Sequence, residues 1–254
     1  MIRAGLAQMQ LALMLLTRLP AGRLPDPAPS IGSAIWAFPL AGAVLGGAAA
    51  LVFLGALALG LPVSLAAGLA LGVQVILSGG LHEDGLADTA DGLWGGQTRA
   101  RRLEIMRDSR IGSYGVLALI LSLGLRWQGL IWLGALDPQI AALALVGLAM
   151  TSRVAPALLL VVLPPARPDG LGGHGARGAT GTRAGVAVLL GFGLWVGPAP
   201  LALLVLLGAQ VVVTLSVGAV ARRKLGGQTG DILGAAQQLA EVAGYLALVA
   251  VLAG

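Results

Sequence analysis

Two long stretches without a charged side chain, residues 27–81 and 184–221, constrain this fold more than any other feature. A membrane-spanning helix needs roughly 20 consecutive apolar residues, so each stretch has room for two spans. The apolar runs are continuous, whereas the strands of a membrane barrel alternate between apolar and polar residues. The sequence therefore predicts an all-α, polytopic integral membrane helical bundle.

The composition of the chain excludes several other classes of protein. Charged residues make up 11 % and hydrophobic residues 57 % of the 254 residues, whereas about 25 % of the residues of a soluble domain are charged. The same hydrophobicity excludes a disordered chain. The absence of cysteine excludes disulfides, cysteine zinc sites and thiol catalysis. The 15 arginines and one lysine are not interleaved with aromatic residues, so no nucleic-acid binding is expected.

We predict about seven spans in a single membrane-embedded domain of residues 1–254. Pro62 interrupts the first charge-free stretch and the Gly-Pro-Ala-Pro sequence of residues 197–200 interrupts the second, because glycine and proline break helices. The predicted spans cover residues 31–60, 62–81, 113–135, 139–163, the two halves of 184–221, and 232–253.

Three polar segments separate these spans, at residues 82–112, 164–183 and 222–231. They contain five, three and three basic residues, respectively. The positive-inside rule places all three segments in the cytoplasm, and seven spans with an internal N-terminus satisfy that placement.

The first polar segment contains the residues best suited to chemistry. Asp84, Asp88 and Asp91 are spaced i, i+4, i+7, which puts their carboxylates on one face of a helix. Like charges at this spacing repel each other, and a hard divalent cation would supply the missing positive charge. Since Mg²⁺ prefers carboxylate and phosphate oxygens, we expect the three aspartates to be metal ligands. The alternative is a solvated acidic face.

Other residues of the polar segments are candidates for catalysis and for binding phosphate. His82 is a candidate general base or substrate ligand, or simply a polar residue at the membrane interface. Asp108 is a candidate further metal ligand, and Arg110 a candidate phosphate ligand because a guanidinium fork matches phosphate oxygens. A glycine-rich turn before a helix offers backbone N–H groups to an anion. The candidates in that third segment are Lys224, Gly226, Gly227, Thr229 and Asp231.

Three charged residues lie inside predicted spans. Charges within the membrane are costly and are functional candidates by default, so Arg153 and Glu241 are assigned to the substrate site. Arg126 is followed by Trp127, and this pair favours an anchor at the membrane interface.

These motifs resemble the signature of the cobalamin synthase family, also called adenosylcobinamide-GDP ribazoletransferases. The resemblance spans nearly the whole chain. It rests on residues 17–20, 38–40, 82–93, 104–112, 151–153, 167–172 and 225–235. Glu83 stands where this family usually has an apolar residue, off the aspartate face.

The resemblance implies a Mg²⁺-dependent enzyme of the last steps of vitamin B12 nucleotide-loop assembly. Adenosylcobinamide-GDP would react with α-ribazole or its 5′-phosphate, giving adenosylcobalamin or its phosphate and GMP. The active site would face the cytoplasm from the bacterial inner membrane. Beyond the substrates and the lipid bilayer, a homo-oligomer and association with other corrinoid enzymes stay open.

Two other functions compete with this interpretation. CDP-alcohol phosphotransferases also cluster aspartates at a membrane surface, but the Ala-Arg step of their pattern is missing after Asp84-Gly85. A cation transporter would place its carboxylates at the bilayer midplane, whereas these follow a predicted span in a segment with five arginines.

Overall fold

A computed structural model of the chain describes residues 2–167, 175–196 and 200–253. Over these ranges the regular elements are helices, and extended backbone pairs only in one isolated bridge, between Pro165 and Gln228. The fold class predicted from the sequence is confirmed. We number the helices of seven or more residues α1 Ile2–Leu16, α2 Phe38–Ala58, α3 Val63–Ser78, α4 Leu81–Gly95, α5 Arg99–Ile105, α6 Ser113–Leu136, α7 Pro138–Ser152, α8 Val154–Val162, α9 Gly181–Phe192, α10 Pro200–Leu225 and α11 Gly230–Ala253.

Five helical segments in the described ranges are long and apolar enough to cross a membrane. They are Ile31–Ala58, Ser113–Leu136, Pro138–Val162, Leu201–Leu225 and Gly230–Ala253. Helices α3 and α4 pass the same test only as a pair, bent by 86°. Length and composition therefore support five or six spans in the described residues, within one or two of the seven predicted.

The two predicted spans that fall short are α3 and α9. Helix α3 has only 16 residues because it ends at Gly79, whose φ of +67° closes the helix, and α9 has 12 residues. The predicted break at residues 197–199 lies outside the described residues, and α10 begins at Pro200. Proline suits the first turn of a helix because that N–H has no partner there.

The interior of the bundle is built on small residues. A Cβ atom on Gly46 of α2 would lie 2.5 Å from the carbonyl oxygen of Leu145 and 2.6 Å from the Cα atom of Val146, both on α7. Such contacts let two backbones approach closely, as helices in membranes commonly do. Alanine accounts for many of the other buried residues along these helices.

The polar segments meet at one end of the bundle. The backbone N–H groups of Gln228 and Ala166 donate to the carbonyl oxygens of Pro164 (2.9 Å) and Gln228 (2.8 Å), respectively. From the first polar segment, the Arg99 side chain donates to the carbonyl oxygens of Leu225 (2.6 Å) and Ala166 (2.8 Å). The three segments that the charge rule assigns to one side of the membrane thus lie together.

Candidate active site

The site is built where α4 crosses α11. A Cβ atom on Gly85 would lie 2.9 Å from the carbonyl oxygen of Asp231 and 3.2 Å from the Cα atom of Gly234. A Cβ atom on Gly234 would in turn lie 3.3 Å from the Cα atoms of Gly85 and His82. Only glycine allows two backbones to come this close. The crossing brings the acidic motif of α4 against the first turn of α11.

Three carboxylates gather beside this crossing. The charges of Asp84, Asp231 and Asp91 all act on Asp88, and Arg167 is the cation that acts on it. Asp84 is exposed, and Asp88 and Asp231 are half-buried. Among the described residues, Asp84 and Asp88 receive no hydrogen bond, whereas Asp231 accepts one from the Thr229 hydroxyl at 3.2 Å. Asp231, which the sequence assigned to substrate, thus lies with the predicted metal ligands.

Asp91 points to a different partner. Its two carboxylate oxygens accept hydrogen bonds from the backbone N–H groups of Gly112 (2.7 Å) and Gly115 (2.9 Å). These groups belong to the start of α6, where a helix has no N–H partners of its own. Asp91 therefore caps α6 and fastens the loop before it to α4, a role the spacing of the aspartates did not reveal.

A cavity of about 220 Å³ opens beside the carboxylates. His82, Asp84 and Asp231 form part of its lining, and the rest is mostly apolar, including Leu16 and Phe38. His82 is buried, with 4 % of its surface exposed. The cavity therefore offers an apolar wall on one side and the carboxylates with an imidazole on the other.

Arg153 lies close to this histidine, at the junction of α7 and α8. It is buried, and its Nη1 atom donates to the carbonyl oxygen of Ala149 at 2.7 Å. Its Nε atom is buried without a hydrogen-bond partner in the described part of the chain. Arg153, a predicted substrate ligand, is thus a buried cation with an N–H group that makes no hydrogen bond in the described part of the chain.

The prediction that Arg126 anchors the membrane interface is wrong. Only 1 % of Arg126 is exposed, and its guanidinium forms ion pairs with Glu241 (3.0 Å) and Glu83 (3.4 Å). Its neighbour Trp127 donates to the carbonyl oxygen of Ser64. The sequence interpretation failed because the two acids are 43 and 115 positions away from Arg126 along the chain.

Glu241 is committed to this network. Its Oε1 atom accepts from Arg126, and its Oε2 atom accepts from Gln237 (2.6 Å) and Ser152 (3.5 Å). Both carboxylate oxygens of Glu241 therefore have protein partners. This geometry does not present Glu241 to a substrate in the way that the sequence analysis predicted. A charge inside a membrane protein is commonly satisfied by such pairing.

Asp108 and Arg110 pair with each other at the surface. Three hydrogen bonds join the guanidinium to the carboxylate, two from Nε at 3.0 and 3.2 Å and one from Nη2 at 2.6 Å. These bonds lower the pKa of Asp108 to about 2. The pair lies in the loop that Asp91 holds against α4, and 86 % of the Arg110 side chain is exposed.

The predicted anion loop is absent at Gly226 and Gly227. The N–H groups of both glycines donate to carbonyl oxygens of α10, and that of Gln228 donates to Pro164. Gly226 has a φ of +78°, and a Cβ on Gly227 would overlap the carbonyl oxygen of Pro164. The glycines therefore end α10 and allow the close approach of Pro164. Lys224 is exposed in the last turn of α10.

The donor set suits a hard cation that also binds substrate. No three His, Asp or Glu side chains of the described residues are drawn together tightly enough to hold a metal by themselves. Mg²⁺ typically takes one or two protein carboxylates together with phosphate oxygens and water. The unpaired carboxylates of Asp84 and Asp88, with Asp231 beside them, fit that pattern.

A family model for cobalamin-5-phosphate synthase matches residues 8–249. The chain belongs to this family. As a cobalamin-5-phosphate synthase family member it is a transferase of cobalamin biosynthesis and a membrane protein. The resemblance inferred from the motifs is confirmed.

Relatives of this family cover nearly the whole chain. An adenosylcobinamide-GDP ribazoletransferase from Azorhizobium caulinodans is 48 % identical over 248 residues, covering 94 % of this chain and 93 % of that protein. Proteins of the same name from Bradyrhizobium diazoefficiens and Mesorhizobium japonicum are each 44 % identical, covering 95 % of this chain and 92 % of theirs. No solved structure matches the chain.

Arg167 also lies at the candidate site, and the sequence analysis did not identify it individually as a site residue. It opens the 167–172 motif, of which residues 168–172 lie outside the described residues. Its charge acts on both Asp88 and Asp231, and its Nη2 atom donates to the carbonyl oxygen of Leu103 at 2.8 Å. The sequence signal that could have identified Arg167 is its place in a polar segment that the charge rule puts on the same side of the membrane as the aspartates.

Proposed function

We propose that this protein transfers the adenosylcobinamide phosphate moiety of adenosylcobinamide-GDP to α-ribazole or α-ribazole 5′-phosphate and releases GMP. Family membership and the name of its relatives support this substrate class. The observation that carries the proposal is the pair of carboxylates without hydrogen-bond partners among the described residues, Asp84 and Asp88, of which Asp84 lines a largely apolar cavity. Such a site suits a pyrophosphate attached to bulky, partly apolar groups.

We assign the cation to Asp84 and Asp88, with Asp231 contributing from α11. Mg²⁺ bound there would neutralise charge on the pyrophosphate and polarise the attacked phosphorus. Without the cation these carboxylates repel one another, because Asp84 and Asp231 both act on Asp88 as like charges. Asp91 supports the site through its cap on α6.

Four cations are proposed to bind the phosphates of the donor and of the leaving GMP. Arg167 lies beside the carboxylates and Arg153 lies beside His82. Arg110 and Lys224 are exposed at the same end of the bundle. Of these, Arg110 would exchange its bond to Asp108 for a phosphate oxygen, because both acceptors suit a guanidinium fork.

His82 is proposed to accept the proton of the attacking ribose hydroxyl of the ribazole, a hydroxyl that α-ribazole and its 5′-phosphate share, as that oxygen attacks phosphorus. The new phosphorus–oxygen bond forms as the bond to the GMP oxygen breaks, and the leaving phosphate takes the electron pair. Burial keeps the imidazole away from bulk water and beside the carboxylates. A positioned base of this kind typically contributes about 10²- to 10⁴-fold in rate.

The site is proposed to face the cytoplasm from the bacterial inner membrane. The three polar segments meet at the end of the bundle that carries the site, and they contain most of the basic residues of the chain. Excess arginine and lysine marks cytoplasmic loops. Substrates made in the cytoplasm would then reach the cavity directly.

A turnover assay on protein reconstituted in lipid tests the reaction. Adenosylcobinamide-GDP and α-ribazole 5′-phosphate are supplied with and without Mg²⁺, and GMP and the corrinoid product are both measured. The proposal expects the two products in equal amounts and only with Mg²⁺. GMP without corrinoid product would indicate hydrolysis, and no turnover by folded protein would contradict the assignment.

A further inference from the structure

We infer that Arg126 is a positioning residue that holds the two site-forming helices, α4 and α11, in register. It stands on neither of them, but on α6. Its Nη1 atom donates to Glu83 on α4 (3.4 Å), and its Nη2 atom donates to Glu241 on α11 (3.0 Å). This inference rests on the proposed function only in its choice of which helices matter.

Glutamine side chains complete the bridge between the helices. Gln238 of α11 accepts from Arg126 at 3.0 Å and donates to Glu83 at 2.9 Å, so α4 and α11 are also joined directly. Gln74 of α3 accepts from Nη2 at 2.9 Å. A guanidinium can serve four acceptors in one plane, which an ammonium cannot do. The arrangement therefore specifies arginine.

Helix α4 needs such an anchor because its start is weakly fixed. It follows two glycines, Gly79 and Gly80, each with a φ of +67°, and no side chain caps its first turn. Glycine in this region costs little and leaves the chain free to turn. Glu83 lies in that first turn, between His82 and Asp84. Holding Glu83 therefore sets the rotation of the imidazole and of the first carboxylate.

The bridge and the glycine crossing act on the same pair of helices. Gly85 against Gly234 lets the backbones approach, but a contact between glycines resists neither sliding nor rotation. The Arg126 bonds to Glu83, Gln238 and Glu241 are directional and resist both. Their consequence is a fixed placement of Asp84 and Asp88 relative to Asp231. A misplacement of about 1 Å in a catalytic group costs on the order of 10²-fold in rate.

The test removes the acid and keeps the arginine. Replacing Arg126 would strand two buried carboxylates, which is expected to unfold the protein. Glu83→Leu leaves Arg126 paired with Glu241 and breaks the two bonds that reach α4, from Arg126 and from Gln238. Gln74→Met is the control, because it removes an Arg126 hydrogen bond from α3 and leaves both bonds to α4 in place. Glu83→Gln is the milder second variant and carries the test if Glu83→Leu does not insert.

Two readouts separate positioning from general stability. Steady-state kinetics should show kcat of Glu83→Leu lowered by at least about tenfold, with a higher Mg²⁺ requirement and little change in KM for the donor. Gln74→Met should keep kcat within about twofold even where its melting temperature falls. Glu83→Gln should lie between them.

The second readout needs no substrate. The chain has no cysteine, so spin labels can be placed at Trp94→Cys and Leu246→Cys, at the exposed far end of α4 and on α11. Glu83→Leu should shift or broaden their distance distribution by electron paramagnetic resonance, and Gln74→Met should not. Unchanged distances in Glu83→Leu, or a kcat loss shared equally by Gln74→Met, would overturn the inference. If the parent protein showed no turnover but Glu83→Leu still changed the distances, only the proposed function would be refuted.

Discussion

Gly85 and Gly234 face each other where α4 crosses α11, the two helices that build the candidate active site. A Cβ atom on Gly85 would lie 3.2 Å from the Cα atom of Gly234. One glycine ends the His-Glu-Asp-Gly motif of α4, and the other lies one turn into α11. The carboxylates proposed to bind the cation therefore depend on a contact between two residues without functional side chains.

Gly85→Ala should disable the site by forcing this crossing apart. The added methyl would meet backbone atoms of Asp231 at 2.9 and 3.1 Å, which cannot turn aside as a side chain can. Overpacking of this kind costs about 1–3 kcal/mol, and turnover should fall by at least about tenfold. Thermal unfolding in detergent and the coupled turnover assay measure the two effects.

Gly72→Ala is the control for that substitution. Gly72 is also in a helix, but a Cβ atom there would meet nothing within 4 Å. Alanine favours a helix over glycine by about 1 kcal/mol, so this variant should be at least as stable as the parent. Equal behaviour of the two variants would show that the crossing is not tight.

The sequence was sufficient for what depends on local pattern. Continuous apolar runs predicted the membrane helices, and the i, i+4, i+7 spacing put Asp84 and Asp88 on one face. The same spacing could not tell that Asp91 would cap α6, because its partners, Gly112 and Gly115, are 21 and 24 residues away. Aspartates that share one face of a helix can therefore have different roles in the folded protein.

Long-range partners account for the other differences. Arg126 beside Trp127 has the local pattern of an interfacial anchor, and only the folded bundle brings Glu83 and Glu241 to it. Gly226 and Gly227 have the composition of an anion loop, but the helix end and Pro164 use their N–H groups and their space. Local sequence predicts helices well, whereas the pairing of charges across a bundle requires the fold.

Asp84→Asn and Asp88→Asn should each abolish most of the activity and leave the protein stable. Both side chains lack hydrogen-bond partners among the described residues, and removing one charge relieves repulsion within the cluster. The loss of a cation ligand should lower turnover by about two orders of magnitude or more. Turnover at graded Mg²⁺ measures the effect, and full activity in either variant would refute the assignment.

Asp91→Ala should instead act first on stability. Its carboxylate holds two N–H groups at the start of α6, and removing a helix cap costs about 0.5–2 kcal/mol. We expect a lower melting temperature and partial activity with an unchanged Mg²⁺ requirement. If Asp91→Ala instead lost activity, needed more Mg²⁺ and kept its stability, the result would support Asp91 as a metal ligand.

Asp108 should not titrate in the working range of the enzyme. Its folded pKa is lowered to about 2 by Arg110, below the unfolded value of about 3.9. The pair therefore contributes stability above the unfolded pKa and loses it as the pH falls through about 2. The pH–rate profiles of the parent and of Asp108→Asn should have the same shape between about pH 5 and pH 9. A missing ionisation in the variant would identify Asp108 as an acid or base.

His82→Gln tests the proposed base. Glutamine is close to histidine in size and remains polar, but it cannot accept a proton near neutral pH. Since His82 lines the cavity beside Asp84, its loss should lower kcat by about 10²- to 10⁴-fold and remove one ionisation from the pH–rate profile. Thr89→Ala is the control, because Thr89 is buried in the same helix but lines a separate cavity. A profile that keeps all its ionisations in His82→Gln would assign the proton transfer to another group, and a spare carboxylate of the cluster would then be the next candidate.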